Sequence, residues 1–83
     1  MPRFFIDTDD GDTFVEDDEG LDLPDSEAAR EIALRALPDI ARDKMPDGDD
    51  RTFRASVRDE TAAVIYEATL TLAGGWKVDR PPS

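Results

Sequence analysis

Apolar and polar residues alternate in two stretches near the end of the chain, a pattern typical of half-buried β-strands. In residues 52–59 the apolar set is Phe53, Ala55 and Val57, and the polar set is Arg54, Ser56 and Arg58. In residues 63–72 the set predicted to face the core is Val64, Tyr66, Ala68, Leu70 and Leu72. Residues 59–62, of which the first three are polar, turn the chain between the two stretches, and the pattern therefore predicts a β-hairpin.

A second hairpin is predicted at the start of the chain, over Arg3–Glu16. Phe4, Phe5 and Ile6 favour a strand, and Asp10-Gly11 is a strong turn signal because glycine accepts a positive φ angle. The acidic run 17–20 predicts another turn. The alternating residues 21–23 either extend the second strand or form a short arm.

Helical spacing replaces alternation after Pro24. Asp25 is a suitable N-cap, and Glu27 lies favourably near the positive end of the helix dipole. One apolar stripe has the i, i+3, i+4 spacing of a helix face, and its members are Ala29, Ile32, Ala33, Ala36, Leu37 and Ile40. Pro38 allows two short helices or one kinked helix. We favour one kinked helix, because the stripe continues in phase. It should end near residues 43–45, since Pro46 and Gly48 both stop a helix.

These elements predict an α+β fold in the order ββαββ, with a four-stranded antiparallel sheet and one kinked amphipathic helix on one face. A single domain is expected over residues 1–73, followed by a flexible C-terminal tail, residues 74–83. The strand at 63–72 is the longest and most apolar. It is predicted to be central in the sheet or to pair with a second chain, because an exposed apolar edge is an aggregation hazard.

The charge is strongly negative: 21 acidic against 10 basic residues give a net charge of −11 among 83 residues. We therefore do not expect direct nucleic-acid binding, which depends on basic residues that neutralise phosphates. Self-repulsion should on average raise the pKa values of the carboxyl groups. The absence of cysteine and of a leader-like or membrane-spanning apolar run predicts a cytoplasmic protein that has no contact with membranes.

The acidic first turn raises the question of a calcium site. An EF-hand loop needs glycine at its sixth position and a bidentate glutamate at its twelfth, and neither a loop from Asp7 nor one from Asp43 fits. We therefore interpret this acidic segment as a hairpin turn. Asp9, Asp10 and Asp12 remain weak candidates for a metal site, and no cofactor is predicted.

Catalysis is not expected, since the chain has neither histidine nor cysteine and so small a domain has little room for a cleft. The candidates for an interaction surface are Arg54 and Arg58, on the polar face of the predicted sheet, and Trp76 in the tail.

Several segments resemble a family of small bacterial proteins, common in alphaproteobacteria, that is known only as a domain of unknown function. They are M-P-R-F-F-I-D, D-D-E-G-L-D-L-P-D, E-A-A-R-E-I-A-L-R-A-L and V-R-D-E-T-A-A-V-I-Y, and the similarity extends from Met1 to about Leu72. The resemblance implies no activity, cofactor or site residue. It implies a glycine in the second hairpin turn, where this chain has Ala63.

Three functions are consistent with these features. The first is a non-enzymatic module for protein interaction or regulation, whose partner is another protein, and a homodimer is one form of this hypothesis. The alternatives are an acidic mimic of nucleic acid that inhibits a nucleic-acid-binding protein, and a weak cation-binding protein.

Overall fold

The computed structural model describes residues 1–44 and 49–80. Its elements, in chain order, are β1 (Arg3–Asp9), β2 (Phe14–Val15), β3 (Leu21–Asp22), α1 (Ser26–Lys44), β4 (Asp50–Arg58) and β5 (Val64–Ala73). The strands form an antiparallel sheet in the order β2-β1-β4-β5, and β3 also pairs with β1. The predicted α+β class, with one helix and an antiparallel sheet, is confirmed.

The N-terminal hairpin forms around the predicted turn. Gly11 has a φ angle of +96°, and the amide of Asp10 donates to the carbonyl of Thr13 at 3.2 Å. The strand expected after this turn is divided into β2 and β3, which are two residues long each and pair with opposite ends of β1. Residues 16–20 separate them, and this interruption is important for the site described below.

The helix begins and continues as its sequence predicts. The carboxylate of Asp25 accepts a hydrogen bond from the amide of Ala28 at 2.9 Å, which is N-cap geometry. A single helix passes through Pro38, whose ring lies on the exposed side, so the alternative of two short helices is wrong. The helix ends at Lys44, while the predicted stop signals Pro46 and Gly48 lie outside the described residues.

The core lies between the helix and the middle of the sheet. Its buried residues are Phe4, Ala29, Ala33, Leu37, Ala41, Phe53, Ala55, Val57 and Ala68. Four of these nine are helix residues and three of those four are alanines, so the helix backbone approaches the sheet closely. Of the predicted stripe, Ala29, Ala33 and Leu37 are buried, whereas Ile32, Ala36 and Ile40 are only partly buried, and Ala41 is buried in addition.

β5 lies at an edge of the sheet and hydrogen-bonds only to β4. The prediction that this strand is central is therefore wrong. Its core-facing side is also less covered than predicted: Ala68 is buried, whereas Leu70 is 39% exposed. Val64 was predicted to face the core, but a register shift pairs it with Arg58, so it lies on the face opposite the helix and is 59% exposed. The helix contacts β4 more extensively than β5, and this position leaves the outer strand partly uncovered.

The turn between β4 and β5 has a left-handed residue. Ala62 has a φ angle of +69°, and its amide donates to the carbonyl of Asp59 at 3.0 Å. The position that favours glycine in this turn is thus Ala62, and not Ala63 as the resemblance implied. After β5, residues 74–80 contain neither helix nor strand, and residues 81–83 of the predicted tail lie outside the described part of the chain.

Candidate functional site

The face of the sheet opposite the helix carries a buried ion pair. Asp7 is opposite Ser56 in the β1–β4 register, so its side chain lies on this open face, yet Asp7 is only 5% exposed. Arg58 binds it in bidentate fashion, with Nε–Oδ2 and Nη2–Oδ1 distances of 2.6 and 3.1 Å. These hydrogen bonds are the largest cause of the raised pKa of Arg58. The guanidinium also lies 5.0 Å from the ring centroid of Phe5.

Asp17 covers this pair from the segment between β2 and β3. Its amide donates to Asp7 Oδ1 at 2.9 Å, and its carbonyl accepts from Arg58 Nη2 at 2.9 Å. Its own carboxylate accepts hydrogen bonds from the amides of Ile6, Glu19 and Gly20. Burial acts to raise the pKa of Asp17, but these amides and the charge of Arg58 together lower it. The carboxylate thus replaces a strand partner for β1 between β2 and β3.

Gly20 closes the same segment against β1. Its φ angle is +76°, which favours glycine. A Cβ atom there would lie 2.9 Å from the ring of Phe5 and 3.0 Å from the carbonyl oxygen of Phe4. The run D-D-E-G-L-D-L, which carries much of the family resemblance, therefore has a structural role at this edge.

Arg58 is consequently not available as an interaction residue. Its side chain is 18% exposed, and its guanidinium is bound by Asp7, by the carbonyl of Asp17 and, at 3.8 Å, by Glu16. The polar face of the sheet is covered in this half, because residues 16–20 fold over it. Arg54 is exposed, as predicted, with Asp9 and Thr69 as its cross-strand neighbours.

The three weak metal candidates already bind groups of the protein itself. Asp9 accepts a hydrogen bond from the amide of Gly11, and Asp10 accepts from the amides of Asp12 and Thr13. Asp12 pairs with the guanidinium of Arg51. Within residues 1–44 and 49–80, no three carboxylates are grouped in a way that could hold a metal ion. The second calcium-loop candidate, from Asp43, extends through residues 45–48, outside the described part.

Among residues 1–44 and 49–80, the three carboxyl groups with a clear change have lowered pKa values, contrary to the expected rise. For Asp10 the main cause is hydrogen bonding from the amides of Asp12 and Thr13. For Asp59 it is the hydroxyl of Thr61. Local hydrogen bonds therefore outweigh general repulsion at these groups and at Asp17.

Trp76, the third predicted interaction residue, is not docked on the domain. It is 71% exposed, and it lines a small depression together with Asp49 and Gly75. The amide of Gly74 donates to the carbonyl of Asp49 at 2.8 Å, so backbone bonding between the β4 and β5 ends extends to this point.

The two edges of the sheet differ in a way that points to a binding site. The outer side of β1 is occupied by β2, β3 and the Asp17 carboxylate, which leave little regular backbone free. β5, in contrast, presents ten consecutive residues with one side unpaired in the described chain. Natural proteins usually protect such an edge with charges, proline or a bulge.

β5 has few of those protections. Glu67 is its only charged residue, although charged residues make up 37% of the chain, and it contains no proline. The one irregularity in its pairing lies at the Val57/Arg58 end. Val64, Ile65 and Leu70 are all exposed by more than a third. Beside Leu70 lies an apolar pocket of about 120 Å³, lined by Ala41, Phe53, Leu70, Thr71 and Leu72.

Sequence reasoning identified the apolar character of this strand but not its place in the sheet. It also missed Asp7 and Asp17. A signal for Asp7 was present, since it follows Phe5 at strand spacing and so shares a face with it. A buried acid on that face needs a cation, and Arg58 is the cation that the β1–β4 register supplies.

Comparisons with known proteins identify the family of this chain. Among the described residues, no helix combines the length and the apolar character that crossing a membrane would require. No curated protein and no solved structure is significantly similar to the chain. A family model described as "Domain of unknown function (DUF6894)" matches residues 3–71, which include all five strands but for the last two residues of β5, and the helix. The chain therefore belongs to the DUF6894 family of domains of unknown function.

Proposed function

We propose that this protein is a small, acidic, non-enzymatic interaction module that binds another protein chain through the edge of β5. The observation that carries the proposal is the unpaired, nearly uncharged ten-residue edge. An extended segment can add to such an edge, with backbone hydrogen bonds giving affinity and alternate side chains giving specificity.

The acidic residues support this proposal better than they support the two alternatives. Asp9, Asp10, Asp17 and Asp59 use their carboxylates to hold amides of their own turns. A nucleic-acid mimic would instead need carboxylates arranged in rows on an open surface. The acids thus shape turns and contribute solubility. We also place the protein in the cytoplasm, since a chain without cysteine suits a reducing compartment.

A site-specific photo-crosslinking experiment tests the β5 edge. A photoreactive amino acid replaces Ile65, which is 44% exposed on β5, and in a matched variant it replaces Arg35, which is exposed on the polar side of α1. Irradiation in native lysate should give discrete protein adducts from position 65 and none of the same adducts from position 35. Equal labelling at both positions, or no adduct at position 65, contradicts the proposal.

A further inference from the structure

We propose that the partner of β5 is the β5 strand of a second copy, paired in antiparallel fashion about a two-fold axis so that two sheets become one. This inference rests on the proposed function, because it names the partner of the same edge. It is carried by the residues of β5 themselves, which are complementary to their own copy in one particular register.

Symmetry limits the registers that are available. A two-fold axis perpendicular to the sheet relates two antiparallel edge strands, and it places both helices on the same side of the joined sheet. Directly opposed residues then come from the same face of each copy, as cross-strand pairs must. The axis consequently passes midway between the two copies of one β5 residue, which lie directly opposite each other. Each register is named below by that residue.

The single charge of β5 excludes one of these registers. If the axis passed through Glu67, two carboxylates would face each other across the strands, which is destabilising. With the axis at Ala68, Glu67 lies opposite Thr69 of the second copy. With the axis at Thr69, it lies opposite Thr71. Both of these registers place the acid beside a hydroxyl.

The apolar residues favour the axis at Ala68. In that register Tyr66 lies opposite Leu70 of the second copy, so the aromatic ring can cover Leu70, which is 39% exposed in the single chain. Leu70 also lines the apolar pocket, so the ring of the second copy adjoins that pocket. With the axis at Thr69, Leu70 would lie opposite Ala68, whose methyl group covers less apolar surface.

Charge also favours a second copy over a basic partner at this edge. The net charge of −11 would attract a basic segment, but β5 offers only Glu67 to pair with it. Repulsion between two acidic copies is screened over about 8 Å at physiological ionic strength. The strand is the part of the chain where two copies meet the fewest like charges.

Sedimentation equilibrium of the purified chain tests the dimer. We expect a mass of twice 9.2 kDa at high concentration that dissociates on dilution. Ile65→Lys places a lysine on the edge, as natural edge strands do, and should raise the dissociation constant about tenfold or more. Val15→Lys is the matched control, since Val15 is also exposed but lies on the opposite edge, and it should leave the constant within about twofold. Both variants also lower the net negative charge, so increased repulsion cannot explain a loss of dimer.

Crosslinking tests whether the two strands pair about the middle of β5. Because the chain has no cysteine, Thr69→Cys introduces a single thiol. With the axis at Ala68, the two position-69 side chains are diagonal neighbours about 7–8 Å apart, within reach of a short bis-maleimide. The dimer should crosslink in high yield at position 69, while Arg35→Cys on the exposed side of α1 should not.

The outcomes separate this inference from the proposed function. A chain that stays monomeric up to about 1 mM, the range of very weak complexes, overturns the self-pairing. So does a dimer that is insensitive to Ile65→Lys or that does not crosslink at position 69. If the chain is monomeric but position 65 gives adducts with a different protein in lysate, the self-pairing fails and the interaction module stands. If neither dimer nor adduct forms, both fail.

Discussion

Asp7 is the residue whose replacement tests the description of the open face most directly. It is the one buried charged residue among residues 1–44 and 49–80, and it accepts three hydrogen bonds, two from Arg58 and one from the amide of Asp17. Asp7→Asn keeps the size of the side chain but removes its charge. The side-chain oxygen of the asparagine can still accept from the backbone amide of Asp17 and from Arg58 Nη2. Its NH₂ group then faces Arg58 Nε, which is also a donor.

The expected cost follows from these contacts. A hydrogen bond to a charged group contributes about 1.5–3 kcal/mol. Breaking a buried ion pair by removing one partner costs about 3–5 kcal/mol. Because the asparagine keeps part of the network and Arg58 keeps some contact with solvent, we expect a loss of roughly 2–3 kcal/mol in the free energy of unfolding. In a domain of this size that corresponds to a fall in Tm of roughly 10–20 °C.

Urea unfolding followed by circular dichroism measures this loss. Asp39→Asn is the matched control, because Asp39 pairs with Arg42 at 3.4 Å on the exposed side of the helix. Its effect should be below about 0.5 kcal/mol, as for other surface residues. If Asp7→Asn costs less than about 1 kcal/mol, or no more than the control, the ion pair and the loop above it do not organise this face.

Three further predictions concern backbone strain and pH. Gly20→Ala should cost about 2 kcal/mol or more through its positive φ and close contacts, whereas Gly75→Ala, with no atom near its Cβ, should be neutral; urea midpoints of the two variants check this. Ala62→Gly should raise the free energy of unfolding by roughly 0.5–1 kcal/mol, because it relieves an alanine in the left-handed conformation. Ala63→Gly should give no such gain in the same assay, and a larger gain from Ala63→Gly than from Ala62→Gly would contradict the assignment. The three aspartates with lowered pKa values stabilise the fold above their unfolded value of 3.8, and this contribution is lost as pH falls through their folded values, so Tm should fall between pH 4 and pH 3; a rise would show that general repulsion dominates.

The sequence allowed the elements to be predicted because each has a local cause. Asp25 and the apolar stripe are sufficient to define the helix, and Gly11 and the alternation around Phe53 are sufficient to define the hairpins. Pro38 did not prevent the helix assignment, because its ring lies on the outer side. These features act over a few residues, and a single sequence displays them directly.

The order of the strands was not predictable in the same way. Whether β5 or β4 is central depends on which strand pairs with β1, and both strands alternate well enough to do so. The difference is visible only in the contacts between distant residues, above all the pairing of Asp7 on β1 with Arg58 on β4. Because that pair needs β4 beside β1, it also assigns β5 to the edge.

The same ion pair links the fold to the proposed function. By holding β4 against β1, and by anchoring the Asp17 segment, it closes one side of the sheet and leaves the other side to β5. The acidic residues concentrate in the turns and on the closed edge, and the strand on the free edge is nearly without charge. Selection for solubility alone does not explain why this long edge strand has a single charged residue. Pairing with another strand does explain it, because a covered edge has no need of charges. The asymmetry between the two edges is thus the feature of this molecule that most directly supports the proposed partner of β5.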